Sequence, residues 1–443
     1  MAQSKVVGSD VSRLFAVGFE RRLIIHSPLR FKIVVMLAVA LTAVLSACTG
    51  SDTQNGPEAS SAPTGLTAPQ LGPTSTSKPA TPTPDPAPPT ATIRPLDPVT
   101  AQDWLRGPDD ADYSFLVYCD FQSPPCADLA QALEALRTIR HGEIQVIYRQ
   151  FPLLVLNDKA GLAAQLALSA DNQDAFWPMH DLLYDQQDVW STLSPQDFLT
   201  WSEEAAADLG LDGDQVAADL RAGVYAGMVE EGFRQGVNSG LPGTPFLLLN
   251  GEWFRASPTL KNLEAAIRLE QLAGRQYEQR PELELDPDTL YLAHIKMTGG
   301  ELVVQLFPES APAAVANFIF LARQGWFDGT LFHRVVPGSY VEGGDPSATG
   351  FGGPGYFIRD EIDPAVSFDR PGRLAMANAG PDTNGSRFAI TLRSMPEWDG
   401  ARPILGQVIE GLSLLSGLEA RDPLEDLLLE PADRIITVEI EEQ

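Results

Sequence analysis

Residues 49 to about 98 are built from proline, threonine, serine, alanine and glycine, with almost no large apolar side chain. A segment of that composition cannot bury enough surface to offset the entropy of ordering it. It therefore separates what precedes it from what folds after it. Its Pro82-Thr83-Pro84-Asp85-Pro86-Ala87-Pro88-Pro89 run is expected to be extended, at ~3.1 Å per residue where polyproline-like. The 443 residues are too many for one ordinary domain and suit two folded domains with extra segments. The expected organisation is a signal segment at 1–48, a disordered tether at 49–98, one domain at 99–270, a linker at 271–286 and a second domain at 287–443.

Before the tether, Lys5, Arg13, Arg21, Arg22, Arg30 and Lys32 precede a stretch from Ile33 to Ala47 that is apolar apart from Thr42 and Ser46. A basic region followed by an apolar run shorter than a spanning helix of ~20 residues reads as a signal peptide. The run ends in Leu45-Ser46-Ala47-Cys48, which resembles a bacterial lipobox. The resemblance implies lipid attachment at Cys48 and cleavage before it. The alternative is an uncleaved signal anchor. Either way the remainder is expected outside the cytoplasmic membrane, and under the lipobox reading it is a membrane-anchored lipoprotein.

The formal net charge is −28. Nucleic acid is an unsuitable partner, because phosphate binding needs clustered Lys and Arg. The chain has three cysteines, Cys48, Cys119 and Cys126, and five scattered histidines. That is too few cysteines for a disulfide scaffold, and no Cys/His cluster has metal-site spacing. No metal and no cofactor are expected.

In the first domain, Ser114 to Cys119 reads as a buried strand, and Ile144 to Tyr148 as a second. Between them an amphipathic helix runs through Leu129, Ala130, Leu133 and Leu136. Helical patterns occupy about 158–185 and 195–236, and Gly240-Leu241-Pro242-Gly243-Thr244-Pro245 turns into a strand. This order resembles the DsbA-like branch of the thioredoxin fold, an α/β domain with a helical insertion. That family carries Cys-x-x-Cys at the start of its active-site helix, where the helix N-terminus depresses the first thiol's pKa. The matching positions here are Ser123 and Cys126, so the attacking thiol is absent and dithiol–disulfide exchange through the motif is not expected. Cys119 and Cys126 can pair only if their Cα atoms lie within about 7 Å; otherwise they are two buried thiols. Thr244-Pro245 resembles the family's cis-proline loop. That implies a cis Pro245 and a groove for extended polypeptide, and a spacer without any groove is the other reading.

In the second domain, Phe332-His333-Arg334-Val335-Val336-Pro337-Gly338, Gly343-Gly344-Asp345 and Met376-Ala377-Asn378-Ala379-Gly380-Pro381-Asp382-Thr383-Asn384-Gly385-Ser386 resemble the signature of the cyclophilin family of peptidyl-prolyl cis-trans isomerases. The likeness extends over 287–443. It implies a closed eight-stranded antiparallel barrel capped by two helices. It makes Arg334 the catalytic donor, Asn378 a residue whose backbone holds the substrate, and Ala377 a small groove-lining residue. His333 reads as structural. The chain departs from the family at Ser339, Tyr340 and Glu342, where Phe, Met and Gln are usual. It departs again at Arg387-Phe388-Ala389, where Gln-Phe-Phe is usual. Arg402 stands where histidine or tyrosine is common. Two aromatic walls of the proline pocket are therefore lost, at Ser339 and Ala389, and Tyr340 and Trp398 are candidates to replace them. Glu342 is expected either to tie up Arg334 or to pair with Arg387 as a matched swap. The substrate-binding set is thus Tyr340, Glu342, Ala377, Asn378, Arg387, Phe388, Trp398 and Arg402, with Pro245 in the other domain.

Two functions follow. One is a prolyl isomerase that assists the folding of exported proteins. The other is a non-catalytic chaperone or scaffold using both grooves. Unfolded or proline-containing polypeptides are the expected partners in either case.

Overall fold

A computed structural model of the chain describes residues 96–443, apart from 281, 287 and 430–432. The expected signal segment, Cys48 and the tether up to residue 95 lie outside the described residues. The first domain begins with a short edge strand, β1 (Trp104–Arg106), followed by β2 (Tyr113–Cys119), α1 (Pro124–Ile139) and β3 (Ile144–Gln150). Pro124 and Pro125 open α1, where a missing N–H costs nothing, and Ser123 caps it in extended conformation. Leu129, Leu133 and Leu136 share one buried face of the helix. Six helices follow: α2 (Ala160–Asp171), α3 (Phe176–Asp185), α4 (Gln187–Trp190), α5 (Pro195–Asp208), α6 (Gly213–Ala222) and α7 (Ala226–Asn238). The chain then returns to the sheet as β4 (Phe246–Leu249) and β5 (Glu252–Trp253), and ends in α8 (Leu260–Ala273).

The sheet order is β1-β3-β2-β4-β5, with β2 and β3 parallel and the other pairs antiparallel. Alternation along β2 builds two layers from one strand. Phe115, Val117 and Cys119 enter the core shared with Leu129, Leu133 and Leu136 of α1 and with Leu263 and Ile267 of α8. Tyr118, on the other face, joins Phe246 and Leu248, where Phe151 stacks on Phe233 of α7 with centroids 5.8 Å apart.

The second domain carries β6 (Tyr291–Met297), β7 (Gly300–Leu306), α9 (Pro312–Arg323), β8 (Arg334–Val336), β9 (Tyr340–Gly343), β10 (Arg373–Met376), β11 (Phe388–Thr391), β12 (Ile404–Glu410), the single helical turn α10 (Leu412–Leu415) and β13 (Ile435–Glu442). Its sheet runs β13-β6-β7-β12-β10-β11-β9-β8 and every pair is antiparallel. The expected closed barrel is corrected here: the sheet curls but stays open. Between its two ends there is one isolated bridge, Leu331 to Arg434. The reason lies at β8, which is three residues long and whose outer edge is occupied by a loop. Val335 donates its N–H to the Arg421 carbonyl at 2.9 Å and accepts from the Arg421 N–H at 3.0 Å. A covered edge has no groups left for closing the ladder.

The stretch expected as a linker, 271–286, packs on the second domain. Leu272, Tyr277, Leu283 and Leu285 belong to the core of the second domain. The Tyr277 N–H donates to the Pro354 carbonyl at 2.8 Å, and its ring meets Phe320 at 5.3 Å. The described residues accordingly fall within one compact unit.

Candidate functional site

Arg334 opens β8 and pairs in register with Glu342 of β9. Glu342 pairs with Ala389 of β11, Ala389 with Ala375 of β10, and Ala375 with Ile404 of β12. Residues directly opposite in antiparallel strands share a face. Arg334, Glu342 and Ala389 therefore stand in one row, with Tyr340 and Arg387 two residues away on the same face. The tight connection between β8 and β9 is Pro337-Gly338-Ser339, with Gly338 at φ +68°. At Gly344, φ is +86° and a Cβ would lie 2.3 Å from the Ser386 carbonyl oxygen, so a side chain is excluded there.

The Arg334 guanidinium is held on two sides. Its Nε lies 3.5 Å from Oε2 of Glu342, and its Nη1 donates to Oδ2 of Asp422 at 3.1 Å. Nη2 has no hydrogen-bond partner among the described residues. About a third of the side chain is exposed, whereas Glu342 is buried. The expected Arg387–Glu342 ion pair does not form: Arg387 makes no side-chain hydrogen bond or ion pair among the described residues. Its carbonyl instead accepts from the Ala377 N–H at 3.0 Å. Register explains this, because Arg387 is one residue before Phe388, which faces Gly343, and so lies diagonal to Glu342.

The same alternation turns Phe388 away from the face of Arg334 and Glu342. It is fully buried on the opposite face, against Phe318 and Phe327 at 5.8 and 5.6 Å between centroids. The preceding and following residues, Arg387 and Ala389, share the face of Glu342 and Arg334.

Tyr340 and Trp398 do meet. Trp398, on a 3-10 turn at Pro396–Trp398, is edge-on to Tyr340 at 4.9 Å and to Phe368 at 5.6 Å. Arg402 lies over the Trp398 ring at 4.0 Å, with its Nη1 buried and unpartnered. Burial lowers the Arg402 pKa, and the Glu342 charge opposes that shift. Ala377 is buried and Asn378 half-buried. The Asn378 side chain donates to Oδ1 of Asn384 at 3.1 Å, and its backbone N–H has no partner among the described residues. His333 is 1% exposed and so cannot reach a substrate. Burial pushes its pKa down to about 4, opposed by the charge of Asp345.

Sequence reasoning missed Asp422. The available signal was Asp422-Pro423, a pairing that favours an Asx turn. Oδ1 of Asp422 accepts the N–H groups of Leu424 at 3.0 Å and Glu425 at 3.3 Å, which frees Oδ2 for Arg334.

In the first domain a disulfide joins Cys119 to Cys126, with Cα atoms 5.8 Å apart. Both residues are at most 2% exposed. The strand end, not position 123, is the partner of Cys126, and Ser123 lies buried at the N-cap of α1 without a side-chain capping bond. The Thr244–Pro245 peptide is cis. Tyr118 pairs with Phe246, so Cys119 and Pro245 stand one step beyond that pair. Among the described residues, no group of His, Cys, Asp or Glu is arranged to hold a metal ion.

Comparison with known proteins divides the chain in the same way. A family model described as cyclophilin type peptidyl-prolyl cis-trans isomerase matches residues 292–440. One described as thioredoxin matches residues 100–268. A peptidyl-prolyl cis-trans isomerase-like 1 of Gibberella zeae is 41% identical over 159 residues, covering 34% of this chain and 96% of the relative. Peptidyl-prolyl cis-trans isomerase B of Bacillus subtilis is 40% identical over 132 residues, covering 30% and 92%. Peptidyl-prolyl cis-trans isomerase A of Mycobacterium tuberculosis is 45% identical over 129 residues, covering 26% and 71%.

Proposed function

The chain belongs, through its C-terminal domain, to the cyclophilin family of peptidyl-prolyl cis-trans isomerases, and on that premise we propose that Arg334 catalyses prolyl isomerisation in a groove walled by Tyr340 and Trp398. The reaction turns a partly double C–N bond against a barrier of ~18–20 kcal/mol. It needs no nucleophile, acid or metal. A hydrogen bond to the prolyl nitrogen weakens amide resonance and favours the twisted state. The observation that carries this reading is the unengaged Nη2 of Arg334, on a guanidinium fixed by Glu342 and Asp422. The open backbone N–H of Asn378 provides a hold on the substrate main chain. Tyr340, Trp398 and Arg402 offer a ring-lined wall for the proline in place of the aromatics missing at Ser339 and Ala389.

The test is the cis-to-trans rate of a proline tetrapeptide with wild type and Arg334→Ala. Wild type is expected to accelerate it and Arg334→Ala to lose most of that acceleration. Equal rates for wild type and buffer would end the isomerase reading and leave the groove as a binding surface.

The first domain is proposed to bind extended polypeptide at Pro245 without redox chemistry. The buried Cys119–Cys126 disulfide and the serine at 123 support that assignment. Together the domains would assist the folding of exported proteins, tethered by lipid at Cys48 outside the cytoplasmic membrane. Radiolabelled palmitate entering wild type but not Cys48→Ser is the expected result, and equal labelling of both would refute the anchor.

A further inference from the structure

We propose that Asp422 is a positioning residue for the isomerase reaction and that the thioredoxin-like domain holds it in place through α8. This rests on the isomerase reading above. Asp422 lies far from Arg334 in sequence, on the loop that covers the outer edge of β8. Two local bonds shape that loop: the Asp422 N–H donates to Oδ2 of Asp426 at 2.8 Å, and the Leu424 N–H donates to Oδ1 of Asp422 at 3.0 Å. Its far side is gripped by the other domain. Lys261 of α8 pairs with Glu425. Nη2 of Arg268 donates to the Leu427 carbonyl at 3.1 Å. Arg268 is itself fixed, because its Nε donates to buried Glu264 at 2.7 Å, and Glu264 also takes two bonds from Arg140 at the end of α1.

A continuous set of contacts therefore runs from α1 and α8, through residues 425–427, to the carboxylate on Arg334. An arginine side chain loses rotamer freedom when it is fixed. Glu342 alone, at 3.5 Å from Nε, leaves the guanidinium free to swing about that contact. Asp422 on Nη1 supplies the second point and directs Nη2 toward the groove. A reacting group held before the substrate arrives does not have to be ordered in the transition state.

The experiment uses the full chain and Asp422→Asn, which keeps an oxygen for the Leu424 N–H but presents an amide to Arg334. Two readouts are taken, the isomerase rate on a proline tetrapeptide and the NMR order of the Arg334 Nε–H group. A fall in kcat/KM of roughly three- to tenfold is expected, carried by kcat, with Arg334 Nε–H order lost and the melting temperature unchanged. Arg268→Ala, which touches neither Arg334 nor the groove, is expected to shift both readouts the same way by a smaller amount. Wild-type order at Arg334 in Asp422→Asn, or a rate equal to or above wild type, overturns the proposal. An inactive wild type would refute the isomerase reading, and the NMR readout would still decide whether Asp422 orders Arg334.

Discussion

Trp398 stands edge-on to Tyr340, with ring centroids 4.9 Å apart, and on its own face carries the Arg402 guanidinium at 4.0 Å. These side chains come from a strand, a 3-10 turn and a loop, yet the two rings and the guanidinium meet in one place. A wall built from one tryptophan in this way is sensitive to its loss. Trp398→Ala is expected to raise KM for proline peptides and lower kcat/KM by roughly tenfold, the scale of one aromatic pair plus one cation–π contact. Trp398 is half-buried and outside the main core, so the fold should persist. Unchanged kinetics would show that the proline docks elsewhere.

Glu342 lies at ion-pair distance from Arg334, but at 3.5 Å it makes a weak contact, and Nη2 remains available. Glu342→Gln is therefore expected to change the isomerase rate by no more than about threefold, since the second anchor on Nη1 persists. A rise beyond about tenfold would show that the carboxylate restrains the arginine.

The Cys119–Cys126 disulfide closes a short loop, with a sequence separation of 7. Loop-closure entropy for such a ring is worth about 2–3 kcal/mol. Cys119→Ala/Cys126→Ala is expected to lower the unfolding free energy of the first domain by that amount, read as a lower urea midpoint, and to leave prolyl isomerase activity intact. Identical midpoints would assign the stability to packing alone.

Two buried histidines give the protein an acid-side weakness. His333 is pushed down to about 4 and His180 is also lowered, in both cases chiefly by burial. An unfolded histidine binds its proton near pH 6.5, whereas the folded ones stay neutral. The unfolded state thus holds more protons below pH 6.5, and stability falls as pH drops toward 4. Urea midpoints are expected to decrease from pH 7.5 to pH 5. The ring protons of His333 should show no titration over that range in the folded protein, and those of His180 should titrate below 6.5; normal titration of both near 6.5 would contradict their burial.

The strands and helices around the motifs were legible because their patterns are local. Buried apolar runs mark β2 and β3, and the leucine spacing of α1 places its buried face. Phe388 was misread because a motif states neighbours in sequence and not the face on which each falls; its burial against Phe318 and Phe327 depends on the pairing with β9. Asp422 escaped notice because 88 residues separate it from Arg334, and no short-range pattern encodes a contact of that span.

The sequence by itself determined which groups are available: an arginine after Phe-His, a serine at 123, and glycines where backbone approaches allow no Cβ. Only the tertiary structure decided how those groups are used. It joined Cys119 to Cys126, left the eight-stranded sheet open at an edge covered by Arg421, and set two carboxylates on Arg334. The physical reason is that residue identity sets a group's intrinsic donors, charge and pKa. Its partners are set by strand register and by loops that return from distant parts of the chain, and both exist only once the whole core has formed.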